Sequence, residues 1–118
     1  MSKINSKRKG KNGELGFVNL CKKHGWDKAR RSVQFNGQHE EGQPDIYLPY
    51  LWTEVKRVEK LNLSKAMAQA KAECGDKIPI VAHRKNHEKW LVTIDAEKFL
   101  EMYGEWYSGE VMKGDKDV

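Results

Sequence analysis

The apolar positions of the chain change their period several times, and each change predicts an element. Three stretches repeat apolar residues every three or four positions, which is typical of helices packed on one side. These predicted helices cover about 12–24, 62–74 and 95–107. Alternating or continuous apolar runs predict five strands. The predicted strands are 29–35, 45–48, 51–56, 78–82 and 90–94.

The resulting order α, β, β, β, α, β, β, α predicts an α/β fold, with a mixed central sheet of about five strands flanked by helices. Strands 45–48 and 51–56 are joined by Pro49 and Tyr50. Because proline fixes its own φ, this pair suits a tight turn, and the two strands form a predicted hairpin.

The predicted hairpin carries the first candidate chemistry. Successive side chains of a strand point to opposite faces, so Glu54 and Lys56 share one face while Val55 packs on the other. Pairing across the turn brings Asp45 beside Glu54. Two adjacent carboxylates repel each other, and a hard divalent cation is the usual partner that stabilises them. The alternative is an exposed hairpin with an ordinary ion pair.

The first helix contains a second candidate. Phe17, Val18 and Cys21 define its apolar stripe, and Glu14 falls on the same stripe. A buried carboxylate needs a partner such as a metal, a base or a metal-bound water. Alternatively, Glu14 lies at the rim of the core and favours the dipole near the helix N-terminus.

Charge is unevenly distributed along the 118 residues. The chain has 22 Lys and Arg against 17 Asp and Glu, and residues 95–118 contain seven acids and three lysines, which leaves residues 1–94 with a net charge of +9. A basic body suits the DNA backbone. The candidate DNA-binding residues are Lys7, Arg8, Lys9, Lys11, Arg30, Arg31, Arg57, Arg84 and Lys85.

Length and composition predict one domain at 12–107, preceded by a basic flexible arm at 1–11 and followed by a disordered tail at 108–118. Trp106 and Tyr107 either pack on the domain or contribute to a dimer contact. The sequence has no apolar span and no secretory h-region, so we expect no membrane partner and a cytoplasmic protein.

Two other sets of possible metal ligands occur. The cysteines lie at apolar helix positions, which predicts free thiols in a reducing compartment, but they also allow a zinc site. The zinc alternative uses Cys21, His24, Cys74, His83 and His87. The polar loop at 36–43 offers further ligands or is simply solvated. These loop residues are His39, Glu40 and Glu41.

The spacing of the hairpin residues, P-D, then eight residues, then E-V-K, resembles the signature of the PD-(D/E)xK nuclease superfamily. Over about 7–103, the segments K-G-x-x-G-E, G-x-P-D, E-V-K-R-V-E-K-L-N and V-A-H-R-K-N-x-x-x-W-L-V look like those of phage-borne relatives of the archaeal Holliday junction resolvases. One residue departs from that pattern, because Arg57 follows the lysine where archaeal resolvases more often have a small polar residue.

The resemblance implies a restriction-endonuclease-like fold and a site for Mg²⁺ or Mn²⁺. The ion would be held by Asp45, Glu54 and the Val55 carbonyl, with Glu14 as a further or water-mediated ligand.

The resemblance also implies roles for Lys56 and Gln69. Lys56 would orient the attacking water and stabilise the transition state. Gln69 matches a glutamine that many superfamily members carry on the second helix near the lysine, although it could equally be a plain boundary residue. The implied product is a 5′-phosphate, and the implied enzyme is a homodimer that cuts paired strands of a four-way junction.

Two alternatives stay open. The chain could be a nuclease of the same fold that acts on nicked, flapped or duplex DNA. It could also be a non-catalytic DNA-binding module, which leaves unexplained why Glu14, Asp45 and Glu54 would converge on a surface that meets phosphates.

Overall fold

The computed structural model describes residues 6–32, 34–35, 38–39 and 42–114. Within them lie three helices, α1 at Ser6–Lys23, α2 at Leu63–Glu73 and α3 at Ala96–Gly114. Seven strands are present in the described part of the chain. They are β1 at Arg30–Arg31, β2 at Gln34–Phe35, β3 at Gln38–His39, β4 at Ile46–Leu48, β5 at Leu51–Arg57, β6 at Ile78–Arg84 and β7 at Leu91–Ile94.

Five strands form one mixed sheet in the order β1-β4-β5-β6-β7, and β2 pairs with β3 separately. The central pair, β5 and β6, is parallel, and the other pairs are antiparallel. Helix α2 is the crossover that parallel neighbours require. The predicted α/β fold with a mixed five-stranded sheet flanked by helices is therefore confirmed.

The two faces of the sheet are covered by different helices. On one face, Phe17 and Val18 of α1 belong to the same core cluster as Val55. On the other face, Met67 of α2 packs with Val81 of β6. Because strand side chains alternate, Trp52, Glu54 and Lys56 of β5 lie on the α2 face, and Val55 and Arg57 lie on the α1 face.

The ends of the helices follow the sequence signals. The Trp26 N–H donates to the Cys21 carbonyl and the Gly25 N–H to the Lys22 carbonyl, both at 3.0 Å, with Gly25 at a φ of 95°. This Schellman arrangement ends α1. At the start of α2, the Asn62 side chain accepts a hydrogen bond from the backbone N–H of Lys65, so Asn62 is the N-cap of the helix.

Two outer helices are longer than the sequence indicated. Helix α1 begins at Ser6, so residues 6–11 are helical where a flexible arm was expected. Its Lys and Arg residues are good helix formers that extend a helix nucleated further along. Helix α3 continues to Gly114, so the expectation of disorder from residue 108 is wrong as far as that residue. There, an i,i+3 contact of 3.4 Å between Lys113 and Glu110 supports the last turns.

Three parts of the strand prediction also differ from the structure. The predicted strand at 29–35 is divided between two sheets. Arg30 and Arg31 pair with β4, and the Ser32 N–H still donates to the Asp45 carbonyl at 3.1 Å, whereas residues 34–35 pair with β3. Part of the predicted loop at 36–43 is β3, which pairs with β2. Strand β6 extends to Arg84, since parallel pairing with β5 continues through residues that the sequence placed in a turn.

Candidate active site

The β4–β5 hairpin brings the two carboxylates of the motif together. Ile46 is paired with Thr53, and the Asp45 N–H donates to the Thr53 carbonyl at 3.0 Å, so the register places Asp45 opposite Glu54. The Val55 N–H donates to Asp45 Oδ2 at 2.9 Å. This bond fixes the Asp45 side chain against the backbone of the strand that carries Glu54.

Glu54 occupies an unfavourable environment for a carboxylate. It is only 4% exposed, and its Oε1 accepts a hydrogen bond of 2.9 Å from Trp52 Nε1. Burial, together with the charge of Asp45 and a hydrogen bond to Asp45, raises the pKa of Glu54 to about 7, and the Trp52 bond opposes these effects. Glu73 adds a smaller repulsion from α2. Near neutral pH a proton or a cation would therefore stabilise the pair.

Lys56 lies on the same face of the sheet as Glu54 and is half-buried. Its register partner on β6 is His83, whose Nε2 is 2.9 Å from Thr93 Oγ1. Burial lowers the pKa of His83 below its ordinary value. Lys56 thus stands next to the His83 imidazole, at one side of the carboxylate pair.

Glu14 is buried, as its place on the apolar stripe of α1 indicated, and it has a basic partner. Its Oε1 is 2.8 Å from Arg31 Nε, and the side chains are 9% and 20% exposed respectively. Helix α1 covers the sheet face opposite to that of Glu54. The described residues contain no group of three or more His, Cys, Asp or Glu side chains that could hold a metal.

The candidate ligand sets differ in what the structure brings together. All five residues of the zinc alternative lie in the described ranges, and they are not brought together. Of the loop candidates, Glu40 and Glu41 lie outside the described residues. The pair that does come together is Asp45 with Glu54. Two carboxylates fit Mg²⁺, because this ion commonly takes one or two carboxylates and completes its shell with waters and substrate phosphates.

Gln69 is exposed on α2. It stands one turn before Glu73, so the two residues share a face of the helix. The charge of Glu73 contributes to the raised pKa of Glu54. The two interpretations of Gln69, a residue near the active-site lysine and a plain boundary residue, both stay predictions.

The basic candidates occupy different environments. Arg30 is exposed, with its guanidinium 4.3 Å from the centroid of the Tyr47 ring, whereas Arg31 is engaged by Glu14. Arg57 and Arg84 are half-buried register partners. The exposed candidates in the described ranges also include Lys11 and Lys85. The side chains of Lys7, Arg8 and Lys9 lie outside the described part.

Sequence reasoning missed three residues of this region. Trp52 precedes Glu54 by two positions, so strand alternation could have placed it on the same face. Glu73 follows Gln69 by four positions, which is the helical spacing for a shared face. His83 gave no local signal, because its place beside Lys56 depends on the parallel register of β5 and β6.

Comparison of the chain with protein-family models, with curated proteins and with solved structures finds no significant match. Among the described residues, none of the helices combines the length and the apolar character needed to span a bilayer.

Proposed function

We propose that this chain is a metal-dependent endonuclease that hydrolyses DNA phosphodiesters, with the PD-(D/E)xK arrangement at its active site. The observation that supports the proposal most is the buried Glu54 beside Asp45, with its pKa near 7. A fold gains no stability from such a pair in the absence of a cation, and perturbed acids of this kind cluster at functional sites.

Each residue of the site has a distinct task in the proposal. Asp45, Glu54 and the Val55 carbonyl would hold Mg²⁺ or Mn²⁺, which would supply an activated water and neutralise charge on the phosphate. Lys56 would position the attacking water and stabilise the negative charge that develops on the phosphate. Trp52 holds one oxygen of Glu54 and so leaves the other to face the cation. Glu14, as a water-mediated ligand, and Gln69, as a residue near the lysine, remain candidates for roles outside the direct metal contacts.

The substrate part of the proposal is a four-way DNA junction, and it depends on the resemblance to resolvases. Labelled junction, nicked, flapped and duplex DNA are incubated with the protein and Mg²⁺. We expect cleavage of the junction, with a loss of at least roughly 100-fold in Asp45→Asn, Glu54→Gln and Lys56→Met. Asp27→Asn, which changes an exposed carboxylate, serves as the matched control. Undiminished cleavage in all three site variants contradicts the assignment, and preferential cutting of another DNA revises the substrate.

A non-catalytic DNA-binding module is the competing function, and the basic charge of residues 1–94 suits it equally well. Titration calorimetry with Mn²⁺ separates the two. The nuclease requires heat of binding that Asp45→Asn abolishes. A module without catalysis predicts no Mn²⁺ binding, and equal or higher DNA affinity in Asp45→Asn because a repulsive charge is removed.

The proposed enzyme is a homodimer, and α3 is the surface that supports it. Eight apolar or aromatic side chains of α3 are between 42% and 78% exposed. Its aromatic rings form a continuous ladder. The centroid of the Tyr103 ring lies 5.8 to 6.2 Å from the ring centroids of Phe99, Trp106 and Tyr107. Leu91 and Val92 of β7 are exposed apolar residues as well, and exposed apolar surface of this kind marks interaction sites.

A groove runs beside the base of α3. It encloses about 490 Å³ between α1, the sheet and α3, and Phe17, Leu20, Ile80, Phe99 and Met102 are among its lining residues. Helix α3 contains four glutamates against two lysines. An acidic helix is repelled by DNA and by anionic lipid, whereas the rest of the chain is basic. A second copy of the chain is therefore the partner whose charge and apolar surface fit.

Light scattering after gel filtration tests the dimer. The wild type should have twice the 13.7 kDa mass of the chain. The double variant Trp106→Glu, Tyr107→Glu should be monomeric, while Ser108→Glu, which adds charge on the polar side of α3, should remain dimeric. A wild type that is monomeric at all concentrations contradicts this part of the proposal. Because its substrate is DNA, we also propose that the enzyme works in the cytoplasm.

A further inference from the structure

Two arginines stand side by side at the carboxyl ends of the parallel strands β5 and β6. Arg57 is the register partner of Arg84. Adjacent strands are about 4.8 Å apart, and register partners point to the same face. The two guanidinium groups therefore project from neighbouring positions on the α1 face.

Each of the two arginines has one buried donor without an acceptor among the described residues. The Nε atoms of both are buried and make no hydrogen bond there. Like charges directly across two strands are unfavourable, and a buried donor without an acceptor adds to that cost. The nearest acid along β5 beyond Arg57 is Glu59, whose carboxylate instead accepts the Asn86 N–H at 3.0 Å.

This arrangement suits an anion with several acceptor oxygens. Guanidinium groups bind phosphate through pairs of parallel hydrogen bonds, and two of them can hold one phosphate from two sides. Helix α1 packs closely against Arg57, because a Cβ at Gly13 would lie 3.1 Å from the Cβ of Arg57. The stem of Arg57 is thus held close against the helix.

The arginine pair is separate from the carboxylate pair. Arg57 follows Glu54 by three positions, which is roughly 10 Å along a strand, and it lies on the opposite face. A phosphate bound there cannot be the one that is cleaved. It can belong to the same DNA strand where that strand crosses the carboxyl ends of β5 and β6.

We propose that Arg57 and Arg84 jointly bind a single non-scissile phosphate of the DNA backbone. The identification of the phosphate as DNA rests on the proposed function. The anion site itself does not, because it depends only on two adjacent arginines whose buried donors have no acceptor in the described ranges. It also gives a role to the arginine that departs from the archaeal resolvase pattern.

Fluorescence anisotropy with a labelled four-way junction in EDTA, over a series of salt concentrations, tests the proposal without any need for cleavage. The variants are Arg57→Gln, Arg84→Gln and the double variant, and Lys113→Gln removes one charge near the end of α3 as a control. The slope of log K against log salt is negative, and each phosphate that a variant no longer neutralises makes it less steep by about one. If both arginines hold one phosphate, the steepness of this slope decreases by about one in each single variant, and by the same amount in the double variant.

Two results overturn the proposal. A decrease of about two units in the double variant shows that the arginines bind two phosphates independently, and slopes equal to that of Lys113→Gln show that they bind none. Far-UV circular dichroism of each variant confirms that it is folded. A protein that never cleaves DNA but gives the shared slope change refutes the nuclease alone, whereas cleavage with an unchanged slope in the double variant refutes this inference alone.

A second arm distinguishes backbone phosphate from free phosphate. Thermal melting is measured in inorganic phosphate and in chloride at equal ionic strength. Stabilisation by phosphate that disappears in the double variant, together with the slope change on DNA, supports the proposal. Stabilisation without any effect on DNA binding identifies a site for free phosphate and overturns it.

Discussion

The conservative substitution Glu54→Gln should stabilise the metal-free protein at neutral and alkaline pH. An amide keeps an oxygen that accepts the Trp52 bond, and it supplies an N–H that can donate to Asp45. The pKa of Glu54 is about 7 in the fold against an ordinary value of 4.5. A shift of about 2.5 units corresponds to roughly 3 kcal/mol of unfavourable interaction once the carboxyl is ionised.

The sign follows from proton binding. Because the pKa of Glu54 is higher in the folded state, the folded protein keeps a proton between about pH 4.5 and 7 that the unfolded chain has lost. The contribution of this group to the free energy of unfolding therefore falls as pH rises through that window and is constant above it. The glutamine of the variant does not ionise, so its contribution does not fall with pH. The free energy of unfolding of the variant should therefore equal that of the wild type near pH 4.5 and exceed it by roughly 3 kcal/mol at pH 8.

Urea unfolding in EDTA at pH 5, 6, 7 and 8 measures the difference between wild type and variant, in which the other titrating groups largely cancel. Glu88→Gln, at an exposed position, should show no such trend. Adding Mn²⁺ at pH 8 should narrow the gap, because a cation that binds only the folded wild type stabilises it by mass action. The reasoning would be refuted if the difference in free energy of unfolding between variant and wild type did not change with pH. It would also be refuted if the wild type were the more stable protein at pH 8.

Three further predictions concern stability and use the same unfolding measurement. Gly10→Ala should raise the free energy of unfolding by about 1 kcal/mol because helix propensity improves in open space, whereas Gly13→Ala should gain less because its Cβ meets Arg57 at 3.1 Å; equal gains would contradict the close approach. Arg31→Met should cost roughly 2 kcal/mol by removing the ion pair with Glu14, less than a fully buried pair because Arg31 is 20% exposed; no loss would show that the ion pair is unimportant. Asn62→Ala should cost about 1 kcal/mol through removal of the cap of α2, and an unchanged midpoint would rule the cap out.

Local patterns in the sequence were enough to predict the hairpin and the central sheet. The alternation from Leu51 to Lys56 and the Pro49–Tyr50 turn specify which residues face each other, and the apolar run around Val81 indicates a strand covered on both sides. These features could be predicted because each depends on residues that are only a few positions apart in the sequence.

Features that depend on distant partners could not be predicted. Arg31 lies 17 positions from Glu14, and their contact arises only once α1 packs on the sheet. The neighbours Arg57 and Arg84 depend on the register of two parallel strands, which periodicity does not specify. The exposed ladder on α3 reads in sequence as an ordinary packing face, because the pattern shows that a helix has an apolar side and not what covers it.

The two carboxylates of the candidate site are separated by only eight residues, and these include the two-residue turn of the hairpin. Bringing them together closes a very short loop, and the entropy of closure grows with loop length. The geometry of the pair therefore depends little on the rest of the chain, and insertions in distant surface loops should leave it unchanged. In the proposed nuclease, changes elsewhere in the chain would therefore alter which DNA is bound without disturbing the hairpin that carries Asp45 and Glu54.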